Sequence, residues 1–207
     1  MPFETWLGFA AASFAILIIP GPTVMLVVGY ALGEGRRAAL GTVGGVLLGD
    51  LLAISVSALG LGALLAASAT VFTLLKWAGA AYLVWLGVRI WRAPVDVRAV
   101  ERVATGSDQR RRAVQGFVVT ALNPKSLAFF VAFLPQFMAA DAPILPQLAI
   151  LAPTFAGLAA LTNGGYALLA GAVRPRLRSP VVLRAINRVG GGFLIGAGVL
   201  TAAMRRA

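Results

Sequence analysis

The chain contains no cysteine and no histidine, and only 12% of its 207 residues are charged. Disulfides, thiolate metal sites, Cys or His nucleophile chemistry and pH sensing by imidazole are therefore excluded. Without histidine there is no Ser–His pair and no His-ligated zinc. No Gly-x-x-x-x-Gly-Lys-Ser/Thr string appears, so the chain carries no nucleotide site of its own for a primary pump. Acid is the scarcest charge, with 7 Asp and Glu against 18 Lys and Arg. A single acid deep in an apolar run cannot form a carboxylate dyad, so the expectation is a non-enzyme that needs no cofactor and no metal.

What is abundant is apolar surface. Hydrophobic residues make up 59% of the chain, and the mean hydropathy is +0.89. A bilayer-crossing helix needs about 20 mainly apolar residues, so this length holds six with short connections and little else. The apolar stretches are 6–32, 38–67, 71–91, 113–138, 144–173 and 185–204. Residues 1–5 carry only Glu4, so the first stretch reads as a permanent helix rather than a cleaved signal. On a soluble protein the net charge of +11 would suggest nucleic acid. Here the arginines lie between apolar runs and read as topology signals, with the bilayer and not nucleic acid as partner.

Those arginines alternate. Arg36 and Arg37, then Arg92, Arg98, Arg102 and Arg110 to Arg112, then Arg174, Arg176, Arg178 and Arg184 fall on one side. The other side has Lys76, Asp141 and the terminal Arg205 and Arg206. If the basic side is cytoplasmic, both termini lie outside. Arg110-Arg111-Arg112 is expected to set topology and meet anionic headgroups, without forming a site.

An internal repeat shapes the expected architecture. Residues 76–84 (KWAGAAYLV) align without a gap on 187–195 (NRVGGGFLI), and Gly87-Val88 then falls on Gly198-Val199. Helix 1 contains Pro20-Gly21-Pro22, and helix 4 contains Asn123-Pro124-Lys125 at the corresponding point. Three helices per half is an odd number, so the second half enters from the opposite face, as in many secondary transporters. The predicted fold is an all-α integral membrane protein. It has six transmembrane helices in two inverted-topology repeats, about 1–95 and 113–207, joined by a basic loop at about 92–112. Helices 1 and 4 are broken near mid-membrane, and the whole is one transmembrane domain.

The breaks point to chemistry. Two prolines remove two backbone donors, and Pro22 suits the first turn of a new half-helix capped by Gly21. Freed backbone groups at membrane depth need protein or a wet cavity to satisfy them. The positive end of such a half-helix suits a carboxylate, and Thr23 adds a hydroxyl. Asn123 and Pro124 repeat the pattern as cap and first residue. Lys125 is unfavourable there twice over, for its depth and for its place at a helix start, which implies a partner or a ligand. Asp50, beside the Gly41, Gly45 and Gly49 face, lies at similar depth and is expected to pair with Lys125, bind a substrate ammonium or carry a proton. Thr162, Asn163, Ser55 and Ser57 read instead as bonding to neighbouring helices or their own backbone. Trp6 and Trp91 read as interfacial anchors, and Tyr82 and Phe129 as packing.

Several segments in order resemble the signature of the lysine exporter (LysE/RhtB) superfamily. They are Pro20-Gly21-Pro22, residues 31–37 (ALGEGRR), the glycines before Asp50, Leu75-Lys76 with 79–83 (GAAYL) and Gly87, Asn123-Pro124-Lys125, and 133–137 (FLPQF). Beyond about residue 141 only the apolar pattern and the helix 6 glycines match. The resemblance implies a bacterial inner-membrane, multi-pass exporter of amino acids or their derivatives, energised by a proton or potential gradient. It also implies importance for Pro20, Gly21, Pro22, Asp50, Asn123, Pro124 and Lys125. The residues by themselves suit any small zwitterion or anion. They leave open a passive channel or a non-transporting assembly subunit, and they allow a homodimer.

Overall fold

A computed structural model describes residues 1–67, 69–94, 108–139, 142–172 and 179–203. Of the landmarks above, Arg98, Arg102, Asp141, Arg174, Arg176, Arg178, Arg205 and Arg206 lie outside the described residues, as does the side chain of Lys76. The described residues form helices and no strand. The main elements are α1 (Phe3–Ile18), α2 (Pro22–Gly33), α3 (Arg36–Ala67), α4 (Ala69–Trp91), α5 (Gln109–Ala121), α6 (Pro124–Phe133), a 3-10 turn (Leu134–Phe137), α7 (Ile144–Leu168) and α8 (Pro180–Ala203).

Both expected breaks are present: α1 meets α2 at 55° and α5 meets α6 at 43°. Among the described residues, Arg36–Gly60 of α3 and the whole of α7 are by themselves long and apolar enough to cross a membrane. Counting each bent pair as one raises these candidate spans to four, against six expected from hydropathy. The remaining two expected spans fall on α4 and α8, of 23 and 24 residues, each of which includes residues whose side chains lie outside the described ones. The expected helix 4 stops early, at Phe133, because Pro135 cannot donate into a continuing α-helix.

Close pairing sets the helix directions. Glycines at 41, 45 and 49 of α3 face Gln109, Ala113 and Phe117 of α5, so contacts advance together by four residues and the helices run parallel. The approach is close enough that a Cβ on Gly49 would sit 2.7 Å from the Phe117 carbonyl oxygen. Between α1 and α7 the Trp6 indole donates to Thr154 (3.0 Å) and the Tyr166 hydroxyl donates to the Ile18 carbonyl (2.7 Å). Both pairs are 148 residues apart, so these helices are parallel too. Trp6 thus ties two helices together, beyond the anchoring role expected of it. Between α4 and α8 the order reverses: Gly87 faces Gly191 and Ile195, and Gly198 faces Ala80 and Val84.

Burial divides into two apolar clusters. One takes Phe9 and Ile16 of α1, Ile54 and Ala58 of α3, Phe129, Phe130 and Phe133 of α6, and Leu151, Phe155 and Ala159 of α7. Its aromatic rings stack in series, Phe130 lying edge-on to Phe155 at 4.8 Å. The other takes Val24 and Val27 of α2, Ala39, Val43 and Val46 of α3, Ala167 of α7, and Ala170 just beyond it. Of these helices only α3 and α7 cross from one cluster to the other, and their crossing points hold the buried polar residues Asp50, Thr162 and Asn163, while Thr23, Thr120 and Asn123 are buried at the two breaks. The fold thereby sandwiches a polar layer between two apolar ones.

Candidate functional site

The first break follows from covalent structure. An α-helix continuing past residue 18 would bond the Ile16 carbonyl to the amide of residue 20 and the Ile18 carbonyl to that of residue 22, but both are prolines without an N–H. The chain turns through Gly21, extended at φ −132° and ψ −169°, and restarts with Pro22 in the first turn and Met25 N–H donating to Gly21 O at 2.9 Å. The carbonyls left behind are served from elsewhere. Lys125 Nζ donates to Ile16 O (3.0 Å) and Ile19 O (2.7 Å), and Tyr166 Oη donates to Ile18 O. Two side chains thus take the place of the two missing proline donors. At the negative end of α1, Lys125 also gains a favourable dipole interaction.

This resolves the conflict noted for Lys125 in the sequence. Its backbone lies in the first turn of α6, where a cation is disfavoured, but its side chain leaves that helix for the C-terminal end of α1. Gly21 leaves room for the passage, since a Cβ there would stand 3.3 Å from Nζ, tighter than ordinary contact.

The second break is built like the first and joined to it. Pro124 withholds an amide from the Thr120 carbonyl, which accepts instead from Asn123 N–H (3.0 Å). Asn123 Oδ1 caps α6 by accepting from Lys125 N–H (3.0 Å). Its Nδ2 donates to Thr23 Oγ1 (3.3 Å), which also shares a hydrogen bond with Thr120 Oγ1 (3.2 Å). All eight expected positions, Pro20, Gly21, Pro22, Thr23, Asp50, Asn123, Pro124 and Lys125, belong to the break segments or to the polar layer at their level. Asp50 is 2% exposed. It and Lys125 each feel the other's charge, although among the described residues no direct salt bridge joins them.

Sequence reasoning missed three contributions. Tyr166 was not singled out; an aromatic hydroxyl inside an apolar helix was the available signal. Arg112, expected only at headgroups, forms a largely buried ion pair with Glu34 at the end of α2 (2.5 Å). Beside it the Tyr30 hydroxyl donates to Gln115 Oε1 (2.5 Å). Of the residues expected to bond locally, Thr162 does so fully, its hydroxyl donating to the Leu158 carbonyl at 2.9 Å, whereas Asn163 does so only through its Nδ2.

The site offers opposite polarities within one layer. The start of α2 has no side-chain cap, which leaves a positive helix end near the Lys125 ammonium and suits a carboxylate. The carbonyl end of α1 and Asp50 suit an ammonium. Among the described residues no group of His, Cys, Asp or Glu fit to hold a metal occurs.

Residues 14–205 match the family described as LysE type translocator. A membrane protein of Vibrio cholerae serotype O1, described as uncharacterized, is 34% identical over 98% of each chain. A homoserine/homoserine lactone efflux protein of Salmonella typhimurium is 32% identical over the full length of both. A leucine efflux protein of Enterobacter sp. (strain 638) is 29% identical over 63% of this chain and 62% of its own. No solved structure matches the chain.

Proposed function

The chain belongs to the LysE translocator family, and from that premise we propose that it is a secondary active exporter of amino acids or amino acid derivatives across the bacterial inner membrane. The observation that carries this reading is the position of Lys125. Its ammonium rests on the carbonyl end of one half-helix while lying beside the start of the next. An incoming amino acid matches both ends: its carboxylate takes the α2 start and Lys125, and its ammonium takes the α1 carbonyls as Lys125 withdraws, with Asp50 balancing the charge. The exchange leaves no charge stranded in the membrane layer, where an isolated ion is costly. The relatives named for export of homoserine, its lactone and leucine support a substrate of this class.

The inverted repeat belongs to the same proposal, with the six spans, the outside termini and the single domain that follow from it. The repeat alignment sets Ala80 on Gly191, Val84 on Ile195 and Gly87 on Gly198. The contacts of Gly87 with Gly191 and Ile195 are thereby exchanged for those of Gly198 with Ala80 and Val84. A two-fold axis perpendicular to the antiparallel α4 and α8 accounts for that exchange, and for α1 with α7 and α5 with α3 both pairing in parallel.

Flux into and out of vesicles tests the activity, using L-homoserine and L-leucine with and without an imposed proton or potential gradient. Accumulation against a concentration gradient is the expected result. Equilibration alone, indifferent to the driving force, would replace the exporter by a channel.

A further inference from the structure

Three buried side chains carry a polar atom without a hydrogen bond among the described residues and without an unprinted partner: Ser13, Glu34 and Asn163. Ser13 lies in α1, and its hydroxyl can turn to its own helix backbone. Glu34 already holds Arg112 through its other oxygen. Asn163 differs from both. It lies on α7 where the helix passes from one apolar cluster to the other, between Ala159 and Ala167. Asp50 occupies the same transition on α3, between Val46 and Ala53, and α3 packs against α7. Each is 2% exposed.

The orientation of the Asn163 amide follows from its neighbour. Nδ2 donates to the Ala159 carbonyl at 2.9 Å; turned over, the amide would set oxygen against oxygen, so the free atom is the acceptor Oδ1. A buried acceptor without a donor is unfavourable, more so in a bilayer-embedded core, and leucine of nearly the same shape would serve packing better. An acceptor in this layer calls for a ligand bearing N–H groups.

We propose that Asn163 is a substrate-binding residue whose Oδ1 accepts a hydrogen bond from the α-ammonium of the transported amino acid. Asp50 supplies the opposing charge and Asn163 the direction, so that an amine is distinguished from an uncharged group of similar size. The proposal rests on the export reading above and adds an ammonium ligand on α7 to it.

The experiment uses the full chain in proteoliposomes and measures counterflow of labelled L-homoserine and L-leucine by wild type, Asn163→Leu, Asn163→Ala and Asp50→Asn. Competition by unlabelled L-homoserine and by 4-hydroxybutyrate, which lacks the ammonium, is measured alongside, together with thermal melting of each protein. Losing a hydrogen bond to a charged group should raise KM about ten- to a hundredfold in both Asn163 variants. The inhibition constant of homoserine should rise with it while that of 4-hydroxybutyrate stays put, and Asn163→Leu should melt no lower than wild type. If Asn163→Leu does not reach the membrane, Asn163→Ala is read by the same criteria. Wild-type KM in the variants, or an equal rise for both competitors, overturns the role of Asn163. The first of these with transport abolished in Asp50→Asn leaves the exporter reading standing. Absence of saturable counterflow in wild type with either amino acid removes that reading and this inference together.

Discussion

Replacing Lys125 by methionine isolates what the ammonium does for the first break. The thioether fills most of the volume of the lysine stem, so packing changes little, but the donations at 3.0 Å to Ile16 O and 2.7 Å to Ile19 O are lost. Pro20 cannot serve Ile16 in its place. Hydrogen bonds to a charged group contribute about 1.5–3 kcal/mol each, which makes about 3–6 kcal/mol for the two. Relaxation of the α1 end recovers some of this. Asp50 losing a nearby opposite charge acts the other way and offsets part of that recovery. The expected loss for Lys125→Met is therefore about 3–5 kcal/mol, with efflux abolished. Tyr166→Phe is the graded comparison, since it removes one neutral donor from Ile18 and should cost about 0.5–1.5 kcal/mol. Denaturant unfolding in detergent with membrane yield measures stability, and vesicle efflux measures transport. Asp50→Asn combined with Lys125→Met should recover only the part of the yield lost to the uncompensated Asp50 charge, and none of the transport. Stability within about 0.5 kcal/mol of wild type for Lys125→Met would refute the capping of α1. Efflux by the double variant would reduce the two charges to a structural role.

Three further outcomes are expected. Gly87→Ala and Gly198→Ala put a Cβ 2.6 and 2.7 Å from backbone carbonyls that cannot yield; overpacking of about 1–3 kcal/mol should outweigh the helix-propensity gain of about 1 kcal/mol. Gly157→Ala meets open space and should melt at or above wild type, so equal melting of all three would count against the close α4–α8 crossing. Glu34→Gln breaks the Arg112 pair, which is 14% and 12% exposed, and should lower stability by about 1–3 kcal/mol, between the ranges for surface and buried pairs; no change in unfolding would show that the pair contributes nothing. Single cysteines near Arg36, Gly106 and Pro180 should be labelled from the cytoplasm only, and those near Ala69 and Asp141 from outside only; external labelling at Gly106 would invert the topology.

What the sequence by itself determined is local and covalent. A proline has no amide hydrogen wherever it stands, so the breaks at Pro20-Gly21-Pro22 and Asn123-Pro124 could be placed, together with the carbonyls they orphan. The Asn123 cap was legible for the same reason, the amide that donates to it being two residues away. The apolar runs marked out the helices, although Pro135 ended one of them earlier than hydropathy suggested. Which side chains answer the orphaned carbonyls was decided only in three dimensions. Lys125 and Tyr166 reach α1 across sequence separations of 106 to 148 residues, and nothing in a local pattern encodes such a meeting. The buried faces were equally hidden: helices apolar on nearly every side carry little periodicity to distinguish a packed stripe from a lipid-facing one. That is why Asn163 looked like an ordinary helix-bonding residue, and why Arg112 looked like one more loop charge, until the packing of α3 against α7 and of α2 against α5 gave each a place.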